Sequence, residues 1–245
     1  MTPTNKTMGR LAGLAYFGVV AAGMFSLAYV PSQLITMADP AATLEAISGS
    51  ELLFRAGVAA GFACYVCFLI LPFLLHWIFA PFGPVSAALM VGFAAVSVPI
   101  SMLALSHQFA IIRLLNGEPG AMDPAGMAVT VIRHLEDYRL DISVAGLFWG
   151  LWLIPLGYLV LKSGAIPRVL GAFLVLGGLG YVLEFFGPIV FAGYRDSIVN
   201  SYDTAASSIG ELGTCFWLLI MGAREMMPPA FLATQTVDGE PHGAG

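Results

Sequence analysis

Ionisable side chains set into long apolar runs are where this chain could do chemistry. They are Arg55, His76, His107, Arg113, Glu184 and Glu211, with Asp141 at the edge of a further run. A charge at the centre of a membrane helix costs about 2.5–3.5 kcal/mol on insertion scales, so such groups turn toward protein or water. A carboxylate beside a histidine can move a proton, and an arginine beside a carboxylate can hold a helix in place. Following the runs back and forth across a bilayer places Arg55, His107, Arg113, Asp141, Glu184 and Glu211 in one leaflet half, with His76 in the other. Two readings follow. One is a polar pocket open to that side, with Arg55 and Arg113 paired to Glu184, Glu211 or Asp141. The plainer one is a set of buried ion pairs that orient the helices, since buried charges need partners in any case. Apart from His76, the other half of the bundle lacks ionisable groups, which weighs against a proton or ion pathway through the full depth. Glu211 is flanked by Ile209, Gly210, Leu212 and Gly213. It is expected to face the bundle and meet Arg55 or Arg113.

Other constellations are weaker. His107, His134, Glu184 and Glu211 contain donor types a metal accepts, but no HExxH or HxxxH spacing supports them, and no metal is expected. His134 reads as a surface histidine on a solvated stripe. Cys64 and Cys67 form a CxxC pair in an apolar run without a cation to stabilise a thiolate, so they and Cys215 read as small packing residues. There is no Walker loop, dinucleotide fingerprint or GxSxG, so no catalytic residue and no cofactor is assigned.

The elements that must position these residues follow from composition. The 245 residues are 58% hydrophobic and 10% charged, whereas soluble domains average about 25% charged. A water-soluble domain and a disordered chain are both excluded. The net charge of −5 argues against a nucleic-acid partner. A membrane helix needs about 20 largely apolar residues. The charge-poor runs give six spans at roughly 11–37, 52–79, 84–112, 142–161, 169–191 and 204–223, the second and third divided at Ala80-Pro81-Phe82-Gly83-Pro84. The first run is longer than the usual signal-peptide core of about 7–15 residues and reads as a helix, a cleaved signal peptide being the lesser alternative. The expected fold is all-α, a polytopic membrane helical bundle of six transmembrane helices. It forms one domain over 1–225, with a disordered tail at 226–245.

The loop before the fourth span has its own pattern. Apolar Val131, Ile132, Leu135, Tyr138 and Ile142 recur at a helical period opposite Thr130, Arg133, His134, Asp137 and Asp141. A short amphipathic extension of that span is expected, capped at Asp123 or Gly126. Lys6, Arg10, Lys162 and Arg168 flank short segments on one side, which places both termini in the cytoplasm of a multi-pass plasma-membrane protein. Gly57/Gly61 and Gly146/Gly150 are GxxxG pairs that let helices approach, within the chain or in a homodimer. Pro72, Pro99, Pro155 and Pro188 fall inside spans and predict kinks.

Several segments carry a resemblance. Arg10-Leu-Ala-Gly-Leu-Ala-Tyr16, Leu53-Phe-Arg55, Leu156-Gly-Tyr158 with Lys162-Ser-Gly-Ala-Ile-Pro-Arg168, Leu170-Gly171, Gly180-Tyr181, and Gly210-Glu-Leu212 with Trp217-Leu-Leu219 occur in order over about residues 10–224. They resemble the bacterial membrane family called domain of unknown function 4386. The resemblance implies an integral membrane protein and no particular chemistry. Glu45-Ala46-Ile47 departs from the family's Asn before the Ile. The leading functional expectation is a non-enzymatic accessory or sensing component, embedded in the lipid bilayer with a membrane-protein partner or a second copy. The alternatives are a small-solute or lipid-binding protein or transporter, and an intramembrane enzyme using Glu211 or Glu184 with His107.

Overall fold

The computed structural model describes residues 5–118, 120, 122–191, 193–194 and 205–225, and all regular structure among them is helical. The tail at 226–245 lies outside the described residues. The first helix, α1 (Asn5–Gly23), widens into a π-turn at Met24–Tyr29 and continues as α2 (Val30–Leu34). The Val30 N–H donates to the Phe25 carbonyl, one residue further back than in an α-helix. Pro31 accounts for the widening. It offers no N–H, and its ring would clash with the Leu27 carbonyl in an unbroken α-helix.

Two long helices follow a short one. Between the first and second long runs lies α3 (Pro40–Gly49), a helix outside the spans expected at 11–37 and 52–79. Asp39 caps it, its carboxylate accepting the Ala42 N–H at 2.9 Å, and Pro40 supplies a first-turn residue that needs no N–H partner. Next come α4 (Glu51–Phe79) and α5 (Pro84–Leu115), joined by a single 3-10 turn at Ala80–Phe82, as the Pro-Gly-Pro pattern predicts. The extension before the fourth span is present and continuous with it. Together they form α6 (Pro124–Ser163), 40 residues long. Asp123 stands at its N-cap, and Gly164 closes it in the left-handed conformation at φ 68°. The last helices are α7 (Arg168–Val190) and α8 (Ala205–Met221).

Five runs, at 5–34, 51–82, 84–115, 124–163 and 168–190, are long and apolar enough to cross a membrane. The helix at the expected sixth span, α8, is apolar and has 17 described residues, short of the length that defines the other five. Each long helix carries large apolar side chains on its outer surface, among them Leu14, Phe73, Leu103, Leu140, Leu176 and Ile220. In water such a surface would aggregate; in hydrocarbon it costs nothing.

The helices pack as a ring. α1 rests on α4 and α8, α5 lies between α4 and α6, and α7 lies between α6 and α8. Small residues set the tightest seams. A Cβ at Gly150 would lie 2.6 Å from the Gly178 carbonyl oxygen, and one at Gly157 would lie 2.6 Å from that of Gly171, so α6 and α7 touch backbone to backbone. Gly13 meets Leu219 in the same way between α1 and α8. The central core includes Leu71, Leu75, Met90, Trp152, Leu156 and Leu218. A second cluster joins Val30, Ile47, Phe54, Ile111, Val131 and Leu135, so α3 and the extension of α6 close one end of the ring. At the opposite end Arg10 donates to the Ile220 carbonyl at 3.2 Å, and the Arg224 N–H donates to the Ala165 carbonyl at 3.0 Å. The start of α1, the end of α8 and the turn between α6 and α7 therefore share that end.

Candidate functional site

A cavity of about 300 Å3 lies inside the ring, bounded by α1 and its π-turn, α4, α6, α7 and α8. That volume is at the lower end of small-molecule sites, roughly 300–1,000 Å3. Its walls are aromatic: Tyr16, Tyr65, Phe68, Trp149, Trp152 and Tyr181. Phe68 meets Trp152 edge-on at 5.0 Å between ring centroids, and Tyr181 meets Trp149 edge-on at 6.3 Å. Such edge-to-face pairs hold one another's orientation. Met24 and Leu27 of the π-turn also line the cavity, and Met24 is 61% exposed, so the cavity reaches the molecular surface beside that turn. Cys64 lines it as well, its thiol donating to the Val19 carbonyl at 3.4 Å. This is a packing role, as its sequence context implies.

Glu211 is the one carboxylate among the residues lining this cavity. It lies six residues into α8, about 9 Å along the axis at ~1.5 Å per residue. It faces the bundle, and its Oε2 accepts from the Tyr16 hydroxyl at 3.2 Å. The expected arginine partner is replaced by this hydroxyl. Arg55 instead donates through Nε to Glu51 at 2.6 Å, one helical turn away, and through Nη2 to Asn116 at 2.8 Å. Arg113 donates to Glu118 at 3.0 Å. Both arginines thus meet acids at the α3 end of the ring, where their charged heads stay in contact with solvent. Burial beside Glu211 would remove that solvation.

The remaining predicted site residues divide between two places. Glu184 is exposed on α7. His107 of α5 meets Asp141 of α6, with Nε2 3.3 Å from Oδ2. His134, read from sequence as a surface histidine, is half-buried, its ring centroid 5.8 Å from that of His107. The extension of α6 runs antiparallel beside α5, and this carries His134 onto the end of α5 rather than into solvent. His107 therefore has Asp141 and His134 as neighbours, and Glu211 has Tyr16. The aromatic walls were not singled out in the sequence, although Trp149 and Trp152 stand one helical turn apart on α6.

An all-helical ring with an apolar outer surface and a polar group in an interior cavity has the build of a polytopic membrane protein. The chain belongs to the family described as Domain of unknown function (DUF4386), whose pattern it matches over residues 11–222. It is also similar to an uncharacterised protein of Archaeoglobus fulgidus, 33% identical over 104 residues. That match covers 41% of this chain and 59% of the relative, so the chain spans well under two thirds of that protein's length. No solved structure matches.

Proposed function

We propose that this chain is a six-span protein of the plasma membrane, with both termini in the cytoplasm, that binds a small lipophilic amine in the cavity around Glu211. In an accessory or sensing role, that amine is the molecule sensed. The observation that carries the reading is a single carboxylate set in a cage of six aromatic rings. An organic cation is attracted by aromatic faces and by a carboxylate, while its hydrocarbon part fills the apolar remainder. The cavity reaches the surface beside Met24 and Leu27, which favours entry from the lipid. The π-turn there supports the same reading, because such turns recur at functional sites. For the six-span topology, α8 serves as the last span, and the shared end of α1, α8 and the α6–α7 turn carries Lys6, Arg10, Lys162 and Arg168, which flank short segments, where basic residues mark the cytoplasmic face most strongly.

Ligand-dependent thermal shift in detergent tests the binding. A medium-chain alkylamine should raise the melting temperature in a saturable manner, and the alcohol of equal chain length should do so only weakly. Equal shifts from amine and alcohol, or no shift from either, would refute the assignment of ligand class.

A further inference from the structure

Between α5 and the extension of α6, four donor groups converge that the aromatic cavity does not use. His134, Asp137 and Asp141 stand at i, i+3 and i+7, on one face of α6. His107 comes from the neighbouring helix, α5. One ligand atom from each of His107, His134 and Asp137 lies within 4.8 Å of the other two. Asp141 stands behind His107, its Oδ2 3.3 Å from Nε2. We propose that His107, His134 and Asp137 bind a divalent transition-metal ion of the zinc type, and that Asp141 orients His107 for it.

Five features of the arrangement converge on this assignment. The donor set is two imidazoles and a carboxylate, the combination that zinc accepts with one position left for water. Two donors bound to one ion at about 2.0–2.2 Å lie at most about 4.4 Å apart, close to the 4.8 Å that spans these three atoms. The His107–Asp141 contact has the form found behind metal-bound histidines. There a carboxylate stands beside one ring nitrogen and the other nitrogen coordinates. Most directly, His134 Nδ1 is buried and has no hydrogen-bond partner among the described residues. A buried imidazole nitrogen left unpaired is costly, and a metal ion satisfies it. The charges also balance, since Asp137 and Asp141 together neutralise a divalent ion. The ion would pin the extension of α6 to the end of α5. The proposal stands apart from the amine reading, as none of its residues lines that cavity.

The test uses the full-length, tag-free protein in detergent, stripped with a chelator and titrated with cobalt(II), then zinc(II). Wild type should develop the visible absorption of low-coordinate cobalt, saturating near one ion per chain, and zinc should bleach it. His134→Asn, His107→Gln and Asp137→Asn should each abolish the band while keeping the melting temperature of stripped wild type. Asp141→Asn should retain the band with affinity lowered about 10- to 100-fold, the range for partners that orient a metal ligand. His242→Ala, in the tail, should leave it unchanged. Should one ligand variant fail to fold, the other two read the same outcome. Absence of a saturable band in wild type would overturn the proposal. So would its survival in any folded ligand variant.

Discussion

Glu211 meets a hydroxyl where a guanidinium was expected, and this alters what its substitution should cost. Removing one member of a buried ion pair costs roughly 3–5 kcal/mol, because the other charge is stranded. Tyr16 is neutral, and a glutamine in place of Glu211 still offers it a carbonyl oxygen. Glu211→Gln should therefore change unfolding stability in detergent by less than about 1 kcal/mol, and Tyr16→Phe should cost about 0.5–1.5 kcal/mol, the net worth of one hydrogen bond. A loss for Glu211→Gln several times larger would mean that a cation stands beside it. The Arg55–Glu51 pair should matter little. Its side chains are 39% and 41% exposed, and exposed pairs contribute about 0–1 kcal/mol, so Arg55→Ala should fall within that range in the same assay. The inward direction of Glu211 was legible in the sequence, because a carboxylate in an apolar run must find polar company. Its partner was not. Tyr16 is an aromatic residue within an apolar run and reads as core, and its hydroxyl gains meaning only when α8 closes the ring beside α1.

Among the elements, the long apolar runs and the turn at Ala80–Phe82 were legible because length and Pro-Gly chemistry are local signals. The missed α3 also had a local signal, the Asp39-Pro40 cap, overshadowed by its polar surroundings. The π-turn had one too, in Pro31. What local sequence could not reveal is which glycines meet a neighbour. The GxxxG pair on α6 divides clearly. A Cβ at Gly146 meets nothing within 4 Å, while one at Gly150 would strike the α7 backbone. Gly146→Ala should be neutral or stabilising by about 0.5–1 kcal/mol through reduced backbone freedom. Gly150→Ala should destabilise by about 1–3 kcal/mol, the usual cost of overpacking. Equal effects in thermal unfolding would mean that the α6–α7 seam is looser than its backbone contact implies. His134 and Asp137 illustrate the reverse difficulty. Their helical spacing was visible, but the identity of the helix opposite them was not, so they read as a solvated face.

For the whole molecule, ring closure brings the start of α1, the end of α8 and the α6–α7 turn to one end. Cysteines placed at Lys6 and at Lys162 should therefore be labelled by an impermeant reagent only after the cytoplasmic side is opened, and to the same degree. Labelling of one from outside intact cells would remove the six-span topology. The ring also creates the cavity, since no single pair of helices contains its aromatic walls. Two of the four tryptophans, Trp149 and Trp152, are in that wall, and this permits a short-range test of occupancy. The measurement is quenching of tryptophan fluorescence by a brominated alkylamine in nanodiscs, on a Trp77→Phe background to remove an outward-facing ring. Saturable quenching is predicted, reduced at least tenfold in apparent affinity by Glu211→Gln, a change of about 1.4 kcal/mol, and lost when Trp149 and Trp152 are both replaced by Phe. Quenching that persists undiminished in both variants would place the amine in the lipid rather than in the cavity, and would contradict the account.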